Sequence, residues 1–380
     1  MMRAGIIYAR RVRLAGPQQG DRVETVYDHD RLNALEAVSA AQKIAFAPIL
    51  FQAVWCLRET GLLAALERHD RDGASLETLV DDSGLTPYAV GVLLDMGLSG
   101  GVLFLKSARY RLTRVGHYLL NDPMTRTNMD FTQHTCYEAM RHLLDAIRSG
   151  KPSGLQVFGD WPTIYPALGE LPDEARESWF EFDHFYSDQA FSEALAKIFH
   201  YRPAHIYDVG GNTGKWALRC ARHDPDVRVT LLDLPQQLAL AQDNIEREGL
   251  AGRIDGWPVD ILKAEQLPGD ADLWWMSQFL DCFSEDEIVH ILKLIGRSMR
   301  PDARLAIMEL FWDRQRFEAA AFSLNATSLY FTCLANGNSR FYHSKVMLKC
   351  LRLAGFHVED EYDDLGKGHT LLICRKLADA

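Results

Sequence analysis

The second half of the chain alternates between short apolar runs and helical stretches. The apolar runs that we interpret as strands are 205–210, 227–234, 254–261, 271–280 and 304–311. Short apolar runs separated by helices are typical of a parallel sheet that is covered on both faces. Two further runs, 356–364 and 369–376, have no helix between them, and we expect an antiparallel pair at the edge of the sheet.

The first half of the chain has a helical period instead. Residues 23–66 are predicted to be helical, and the stretch 43–57 is apolar on more than one face. A helix of that kind must be covered, so the stretch is predicted to be a core element or a subunit interface.

A compact helical module follows. Residues 74–85 are predicted to form a helix that ends at Gly84, and residues 86–103 a second helix with Thr86 as its cap and Pro87 at its first position. Residues 104–113 then alternate like a small hairpin. Helix, helix and hairpin in this order are typical of a winged helix.

These patterns divide the chain into four parts. We expect a flexible tail over 1–20, a helical winged-helix dimerisation domain over 21–120, a helical connector and pocket wall over 121–200, and an α/β domain with the parallel sheet over 201–380.

Charge and composition exclude several classes of function. The formal net charge of −11 disfavours binding to nucleic acid or to an anionic membrane, and the second helix of the winged-helix module has no Lys or Arg. No apolar run reaches the ~20 residues of a membrane span. The seven cysteines are scattered without zinc-ligand spacing, so we expect reduced thiols, no metal and a cytoplasmic protein.

The sequence DVGGNTG at 208–214 follows the first strand of the sheet and predicts a ligand-binding loop. The dinucleotide fingerprint and the P-loop both need glycine at 209, where the chain has valine, and the P-loop also needs Ser or Thr at 216, where it has tryptophan. The pattern D-x-G-G-x-x-G, with a carboxylate at the end of the second strand, instead suits S-adenosylmethionine.

Each part of this ligand has a predicted contact. Gly210 and Gly211 let the backbone approach the methionine portion, and Asp208 orients the ammonium group or the loop. Asp233 follows Gly210 by 23 residues, near the offset at which a carboxylate meets a ribose diol. Asp260 is placed to reach the adenine amine. The full set of predicted contacts from this domain is Asp208, Gly210, Gly211, Gly214, Asp233, Leu234, Asp260, Ile261, Ser277 and Phe283.

Residues 25–378 resemble the two-domain S-adenosylmethionine-dependent O-methyltransferases of the plant caffeate and bacterial small-molecule type. The resemblance depends on the segments DVGGNTG, LLDLP, PVDIL, FSEDE and AIMEL in this order behind a winged-helix module. It implies a Rossmann-like sheet, a homodimer with entwined N-terminal helices, and a small aromatic acceptor held between the helical region and the sheet. It also implies that Ser187 contacts the cofactor and that Tyr186 faces the substrate.

The chain departs from the family pattern at the position of the catalytic base. Asp281 stands where many members have a histidine, and Phe283 replaces a tryptophan. Of the two glutamates that usually hold this histidine, Glu309 matches the first, and the second falls near Ser339. A carboxylate of pKa ~4 is ~8 kcal/mol mismatched as a base for a phenol of pKa ~10, but proximity of Asp281 and Glu309 would raise one pKa.

Other bases and other reactions stay open at this point. His134 and His184 are alternative bases, with His343 as a further candidate. The predicted substrate contacts are Trp161, Phe182, Tyr186 and Tyr330. We expect O-methylation of a small phenolic metabolite, either free or tethered to a carrier protein. The alternatives are C-methylation of a phenolic ring, a non-methylating reaction that uses the bound sulfonium, and a winged-helix regulator.

Overall fold

The computed structural model describes residues 27–69, 71–187 and 190–377, without the side chains of His184, Tyr186 and Ser187. The tail expected over 1–20 lies outside the described residues.

The segment predicted to be helical over 23–66 forms three helices in its described part. They are α1 (Ala34–Ala45), α2 (Ala47–Glu59) and α3 (Leu62–Arg68). The apolar pattern continues across the two breaks between them, so it does not indicate where each helix ends. Phe46 ends α1 and precedes α2, which has proline in its first turn, and Gly61 precedes α3 in a left-handed conformation with φ 74°.

The first of these helices presents its apolar side chains to solvent within one chain. No residue of α1 is buried, and Leu35, Val38 and Ile44 are 84%, 61% and 76% exposed. A row of exposed apolar side chains of this size is typical of an interaction surface. No single helix among the described residues is long and apolar enough to cross a membrane. The helices α1 and α2 reach the length and apolar composition of a membrane span only when they are taken together, and the chain bends by 67° between them.

The helix, helix and hairpin order of the next module is confirmed. The elements are α4 (Leu76–Ser83), α5 (Pro87–Ser99) and the antiparallel strands β1 (Leu103–Lys106) and β2 (Arg109–Leu112). Gly84 ends α4 in a left-handed conformation, and the Thr86 hydroxyl accepts a hydrogen bond from the Ala89 amide at 3.2 Å. The second helix ends four residues earlier than the predicted limit of 103, at Ser99, because Gly101 turns the chain with φ 74°.

Five helices connect this module to the sheet. They are α6 (Arg114–Asn121), α7 (Pro123–Phe131), α8 (Leu143–Ser149), α9 (Asp173–Ser187) and α10 (Phe191–Ile198). Phe131, Leu155 and Ile164 of this region share one core with Tyr330 and Phe331 from the sheet half of the chain. The connector is therefore packed onto the sheet domain.

The sheet has seven strands, as the apolar runs predicted. They are β3 (His205–Val209), β4 (Arg228–Asp233), β5 (Ile254–Pro258), β6 (Leu273–Ser277), β7 (Arg304–Glu309), β8 (Phe356–Leu365) and β9 (His369–Lys376). Their order is β5-β4-β3-β6-β7-β9-β8. The first five are parallel, and β9 pairs antiparallel with both β7 and β8. The third strand stops at Pro258, so Asp260 lies on a loop.

Helices cover both faces of the sheet. They are α11 (Lys215–His223), α12 (Pro235–Arg247), α13 (Glu285–Ser298), α14 (Glu318–Tyr330) and α15 (Ser344–Leu353). Neighbouring residues of one strand enter different cores: Tyr207 and Trp274 belong to one, and Ile206 and Trp275 to the other. Because both faces are buried, the strands read as continuous apolar runs.

The strand order changes direction at β3. The chain leaves β3 for β4 on one side and later crosses to β6 on the other side. In open α/β sheets this change leaves a crevice at the carboxyl ends of the strands, where ligands bind.

Candidate functional site

A cavity of about 1770 Å³ lies at this crevice. One side of its lining comes from the loops after β3, β4, β5 and β6, and the other side from α7, α9 and α14. The cavity therefore connects the residues predicted for the cofactor with those predicted for the acceptor.

The loop after β3 is shaped by its glycines. Gly210 lines the cavity with φ 72°, and a Cβ atom at this position would lie 2.2 Å from Cδ2 of Phe279. A Cβ atom at Gly211 would lie 2.8 Å from Cδ2 of Leu231. Gly214 precedes α11 with φ 77°. Gly211 and Gly214 support the turn from behind and are not among the described residues that line the cavity.

Asp233 lies at the end of β4 and lines the cavity. Its Oδ2 atom accepts a hydrogen bond from the Asn212 amide at 2.8 Å, and its Oδ1 atom accepts one from the Leu234 amide at 2.7 Å. A carboxylate has about four acceptor sites, so two remain for donors inside the cavity. Burial raises the pKa of Asp233, whereas the two amide hydrogen bonds lower it.

Asp208 is placed behind the loop. It is 2% exposed, and its Oδ2 atom has no hydrogen-bond partner in the part of the chain that the structure describes. Burial, together with the negative charge of Asp233, raises the pKa of Asp208 to about 8. Because Asp208 does not line the cavity, the expected contact with the ammonium group is not formed in this arrangement, and the alternative role of orienting the loop is the one its position fits.

The other predicted cofactor contacts divide into two groups. Leu234, Asp260, Ile261 and Phe283 line the cavity. Asp260 forms an ion pair with Lys263 at 2.6 Å. Ser277 ends β6 and does not line the cavity, and its buried hydroxyl has no hydrogen-bond partner among the described residues. The backbone of Ser187 ends α9, but its side chain lies outside the described part.

Asp281 and Glu309 are close together, which is the condition under which the sequence analysis expects a raised pKa. Asp281 lines the cavity and is 4% exposed; burial raises its pKa to about 7, and the charge of Asp183 adds to this effect. Its Oδ1 atom accepts a hydrogen bond from the Cys282 thiol at 3.5 Å.

Glu309 lies behind Asp281. Its Oε1 atom accepts hydrogen bonds from the Phe279 and Leu280 amides at 3.1 and 2.9 Å. Its Oε2 atom has no hydrogen-bond partner among the described residues. Burial, followed by the charge of Asp281, raises the pKa of Glu309. Two like charges in a buried site oppose each other, so the pair retains a proton at pH values where isolated carboxyls are ionised.

The second glutamate of the family pattern is predicted to fall near Ser339. This serine is connected to the loop that carries Asp281 through the neutral side chain of Asn336. Its hydroxyl donates to Oδ1 of Asn336 at 2.9 Å, and the Asn336 amide donates to the Cys282 carbonyl at 2.6 Å. The chain thus holds this loop without a second carboxylate. The sequence pattern did not indicate Asn336.

The histidines proposed as alternative bases are not brought to the cavity where they are described. His134 lies 5.2 Å from the Trp55 ring, and its Nδ1 atom is 3.4 Å from Oε2 of Glu174. His343 packs against Trp312 at 5.1 Å. Helix packing turns His134 toward α2, so its role as an alternative base stays a prediction that its position does not favour. The side chain of His184 lies outside the described part.

Aromatic side chains form the wall opposite the glycine loop. The indole of Trp179 donates to the Tyr330 hydroxyl at 2.5 Å, and Phe182 stacks on Phe131 at 4.1 Å. All four line the cavity. Trp161 does not, because it packs into the connector core beside Gly159, which corrects its prediction as a substrate contact. The side chain of Tyr186 lies outside the described part.

The sequence interpretation missed Asp183 as a cavity residue. It lies one helical turn after Trp179 in α9, and both side chains line the cavity. The four-residue spacing between them is the signal that could have identified it. No group of three or more His, Cys, Asp or Glu side chains in the described ranges is placed to hold a metal ion.

Known proteins share this architecture. A family model described as an O-methyltransferase domain matches residues 140–357, and one described as a Dimerisation2-like domain matches residues 39–110. The chain is 28% identical to a 3-hydroxy-5-methyl-1-naphthoate 3-O-methyltransferase of Streptomyces sahachiroi, over 70% of this chain and 76% of that protein. It is 25% identical to a 3-amino-4-hydroxybenzoate 4-O-methyltransferase of Streptomyces cremeus, over 81% of this chain and 82% of that protein.

A solved structure gives the same fold. The S-adenosylmethionine-dependent methyltransferase SibL in its apo form superimposes with a TM-score of 0.69 and 24% identity, over 90% of this chain and 99% of that one.

Proposed function

Because the chain belongs to the O-methyltransferase family, we propose that it transfers the methyl group of S-adenosylmethionine to a hydroxyl oxygen of a small aromatic acceptor. The observation that supports this proposal is one cavity lined at one side by Gly210 and Asp233 and at the other by Asp281 and an aromatic wall. The naphthoate and hydroxybenzoate relatives support an aromatic acceptor.

The residues of the first side fit S-adenosylmethionine. The free acceptor sites of Asp233 suit the ribose hydroxyls, and Asp260 suits the adenine amine. Ile261 and Phe283 provide apolar surface for the adenine ring. The open face of Gly210 lets backbone approach the methionine portion. When bound, the cofactor supplies an electrophilic methyl carbon on a positively charged sulfur.

On the second side, Asp281 is the group placed to take the acceptor's proton. With a pKa of about 7, it is about three units below a phenol of pKa ~10, which corresponds to ~4 kcal/mol of mismatch. An unperturbed carboxylate would be mismatched by ~8 kcal/mol, so burial removes about half of this pKa mismatch. Alignment of the acceptor by the aromatic wall supplies a further part of the rate.

Methylation at a ring carbon is the second candidate. The presence of Asp281 where related enzymes have a histidine favours it, since a carboxylate can also remove the ring proton after the methyl group has been transferred. Oxygen remains the expected acceptor because the relatives named above are O-methyltransferases.

The test uses S-adenosylmethionine labelled with ¹³C in the methyl group and a panel of phenols. We expect release of S-adenosylhomocysteine and a product whose labelled carbon has the NMR shift of a methoxy group. A ring-methyl shift would favour the second candidate. Saturable cofactor binding with product formation but no S-adenosylhomocysteine would overturn methyl transfer altogether.

A further inference from the structure

Gln278 has a backbone conformation that is unusual for a residue with a side chain. It directly follows β6 at the carboxyl end of the sheet, lines the cavity and has φ 47°. Its backbone amide donates to the Met308 carbonyl of β7 at 3.0 Å, which holds it in this position. Left-handed conformations of residues other than glycine are strained and cluster at ligand-binding sites. The strain therefore indicates a functional contact for the Gln278 side chain in the cavity.

A buried histidine holds one end of this side chain. The Oε1 atom of Gln278 lies 2.8 Å from Nε2 of His369, which is 0% exposed and begins β9, 91 residues later in the chain. Burial lowers the pKa of His369 to about 4, so the ring is neutral at pH 7. Because a carboxamide oxygen only accepts hydrogen bonds, Nε2 of His369 is the donor in this pair.

The other end of the Gln278 amide is open to the cavity. Its Nε2 atom has no hydrogen-bond partner among the described residues, and it is not one of the fully buried polar atoms. A carboxamide nitrogen carries two hydrogens, and both are available for a ligand. The structure thus presents an oriented and unused donor group at the end of β6.

This donor group lies beside the glycine loop. Strands β3 and β6 are neighbours in the sheet, with Val209 opposite Met276, so the residues that follow the two strands emerge side by side. The ring of Phe279, the next residue after Gln278, packs against Gly210, where an added Cβ atom would lie 2.2 Å from Cδ2. In the proposed function Gly210 is where backbone approaches the methionine portion, and that portion ends in a carboxylate.

Building on the proposed function, we infer that the side-chain amide of Gln278 donates a hydrogen bond to the methionine carboxylate of S-adenosylmethionine, and that His369 is the positioning residue that holds this amide. A hydrogen bond to a charged acceptor is about twice as strong as one between neutral groups. The neutral imidazole orients the amide without adding a charge to the buried site. The sequence analysis did not include either residue among the cofactor contacts, because their pairing joins two distant strands.

The test compares S-adenosylhomocysteine with 5′-methylthioadenosine, which has the same adenosine and sulfur but no amino-acid end. Gln278→Leu keeps a similar size and removes the amide. By calorimetry we expect this variant to bind S-adenosylhomocysteine at least about tenfold more weakly than the wild type, and 5′-methylthioadenosine within about twofold of it. His369→Phe keeps a ring and removes its N–H group, and it is expected to shift the ratio of the two affinities in the same direction.

The matched control is Gln236→Leu, which changes a glutamine that lines the cavity at the start of α12. It is expected to keep the wild-type ratio of the two affinities. Turnover gives an independent measurement. A contact made equally in the ground state and the transition state raises KM without lowering kcat, so Gln278→Leu is expected to raise KM for S-adenosylmethionine at least about tenfold.

An unchanged affinity ratio in Gln278→Leu overturns the inference, and so does a lower kcat with an unchanged KM for S-adenosylmethionine. If His369→Phe does not fold, the result for Gln278→Leu still decides. If the ratio is unchanged while phenols are methylated, the inference fails and the proposed function stands. If the ratio shifts as expected but no phenol is methylated, the cofactor contact stands and the proposed function fails.

Discussion

Buried carboxyl groups determine the chemistry of this cavity at the scale of single residues. Burial raises the pKa of Asp281 to about 7 and, with the charge of Asp233, that of Asp208 to about 8. Asp281 faces the cavity, whereas Asp208 lies behind the glycine loop. We therefore expect the same residue type to act as a proton acceptor in one place and as a structural support in the other.

The pH dependence of turnover tests the role of Asp281. Its ionised form is the base, so kcat/KM is expected to rise about tenfold per pH unit below pH 7 and to level off above it. Asp281→Asn is expected to lower kcat/KM by about 10²–10³-fold and to abolish this rise.

The pH profile is measured with steady-state kinetics between pH 5 and 9. The control is Asp364→Asn, which removes a carboxylate from the exposed part of the lining and is expected to keep the wild-type profile. Full turnover by Asp281→Asn would show that the base is elsewhere or that none is needed.

At the scale of elements, the loop after β3 requires glycine at position 210 because of its backbone conformation and because of the packing of a neighbouring loop. Gly210 has φ 72°, and Phe279 from the loop after β6 occupies the space that a side chain would need. The sequence analysis explained this glycine only by the close approach of the ligand to the backbone. The structure adds a second cause, since the loops after two adjacent strands pack against each other.

Gly210→Ala separates this packing effect from backbone strain. We expect it to lower the free energy of unfolding by about 2–4 kcal/mol and to weaken S-adenosylhomocysteine binding at least about tenfold, since the loop must shift. The matched control is Gly249→Ala, with φ 68° and no atom within 4 Å of the added Cβ, which is expected to cost about 1 kcal/mol and leave binding unchanged. The free energy of unfolding is measured by urea denaturation and the affinity by calorimetry. If the two variants have equal effects on both quantities, the contact with Phe279 is unimportant.

At the scale of the whole molecule, the exposed apolar side chains of α1 indicate a second chain. The match of residues 39–110 to a Dimerisation2-like domain agrees with this expectation. Apolar side chains of the size of Leu35 and Ile44 are stabilised when they are removed from water. Within the described residues one chain leaves them uncovered, and we expect a second copy of the chain to cover them.

Light scattering during size-exclusion chromatography tests the dimer. The wild type is expected to have the mass of two chains of 43.0 kDa each. The triple variant Leu35→Asp, Val38→Asp and Ile44→Asp is expected to have the mass of one chain, because charges at these positions cannot be buried unpaired. Leu353→Asp, at a leucine of α15 that is 56% exposed, serves as the control and is expected to remain a dimer. A wild type with the mass of a single chain would refute the assembly.

Local patterns were sufficient for most of the fold. The sequence pattern predicted all seven strands; the five inner strands are apolar runs because they are buried on both faces, whereas the edge strands β5 and β8 are largely exposed. The helical pattern over 23–66 did not show that the segment is three helices, since hydrophobic periodicity continues through the breaks at Phe46 and Gly61. Breaks of this kind depend on backbone conformation, which the apolar pattern does not record.

The sequence by itself determined the family, the sheet and the glycine loop, since each depends on residues that are near one another in the chain. Only the tertiary structure decided which side chains meet in the cavity. It brought Asp281 beside Glu309 and Asp183 beside the aromatic wall, and it placed His134 and Trp161 elsewhere. The physical reason is that burial and charge proximity arise from elements far apart in sequence, and these two quantities raise the pKa of Asp208, Asp281 and Glu309.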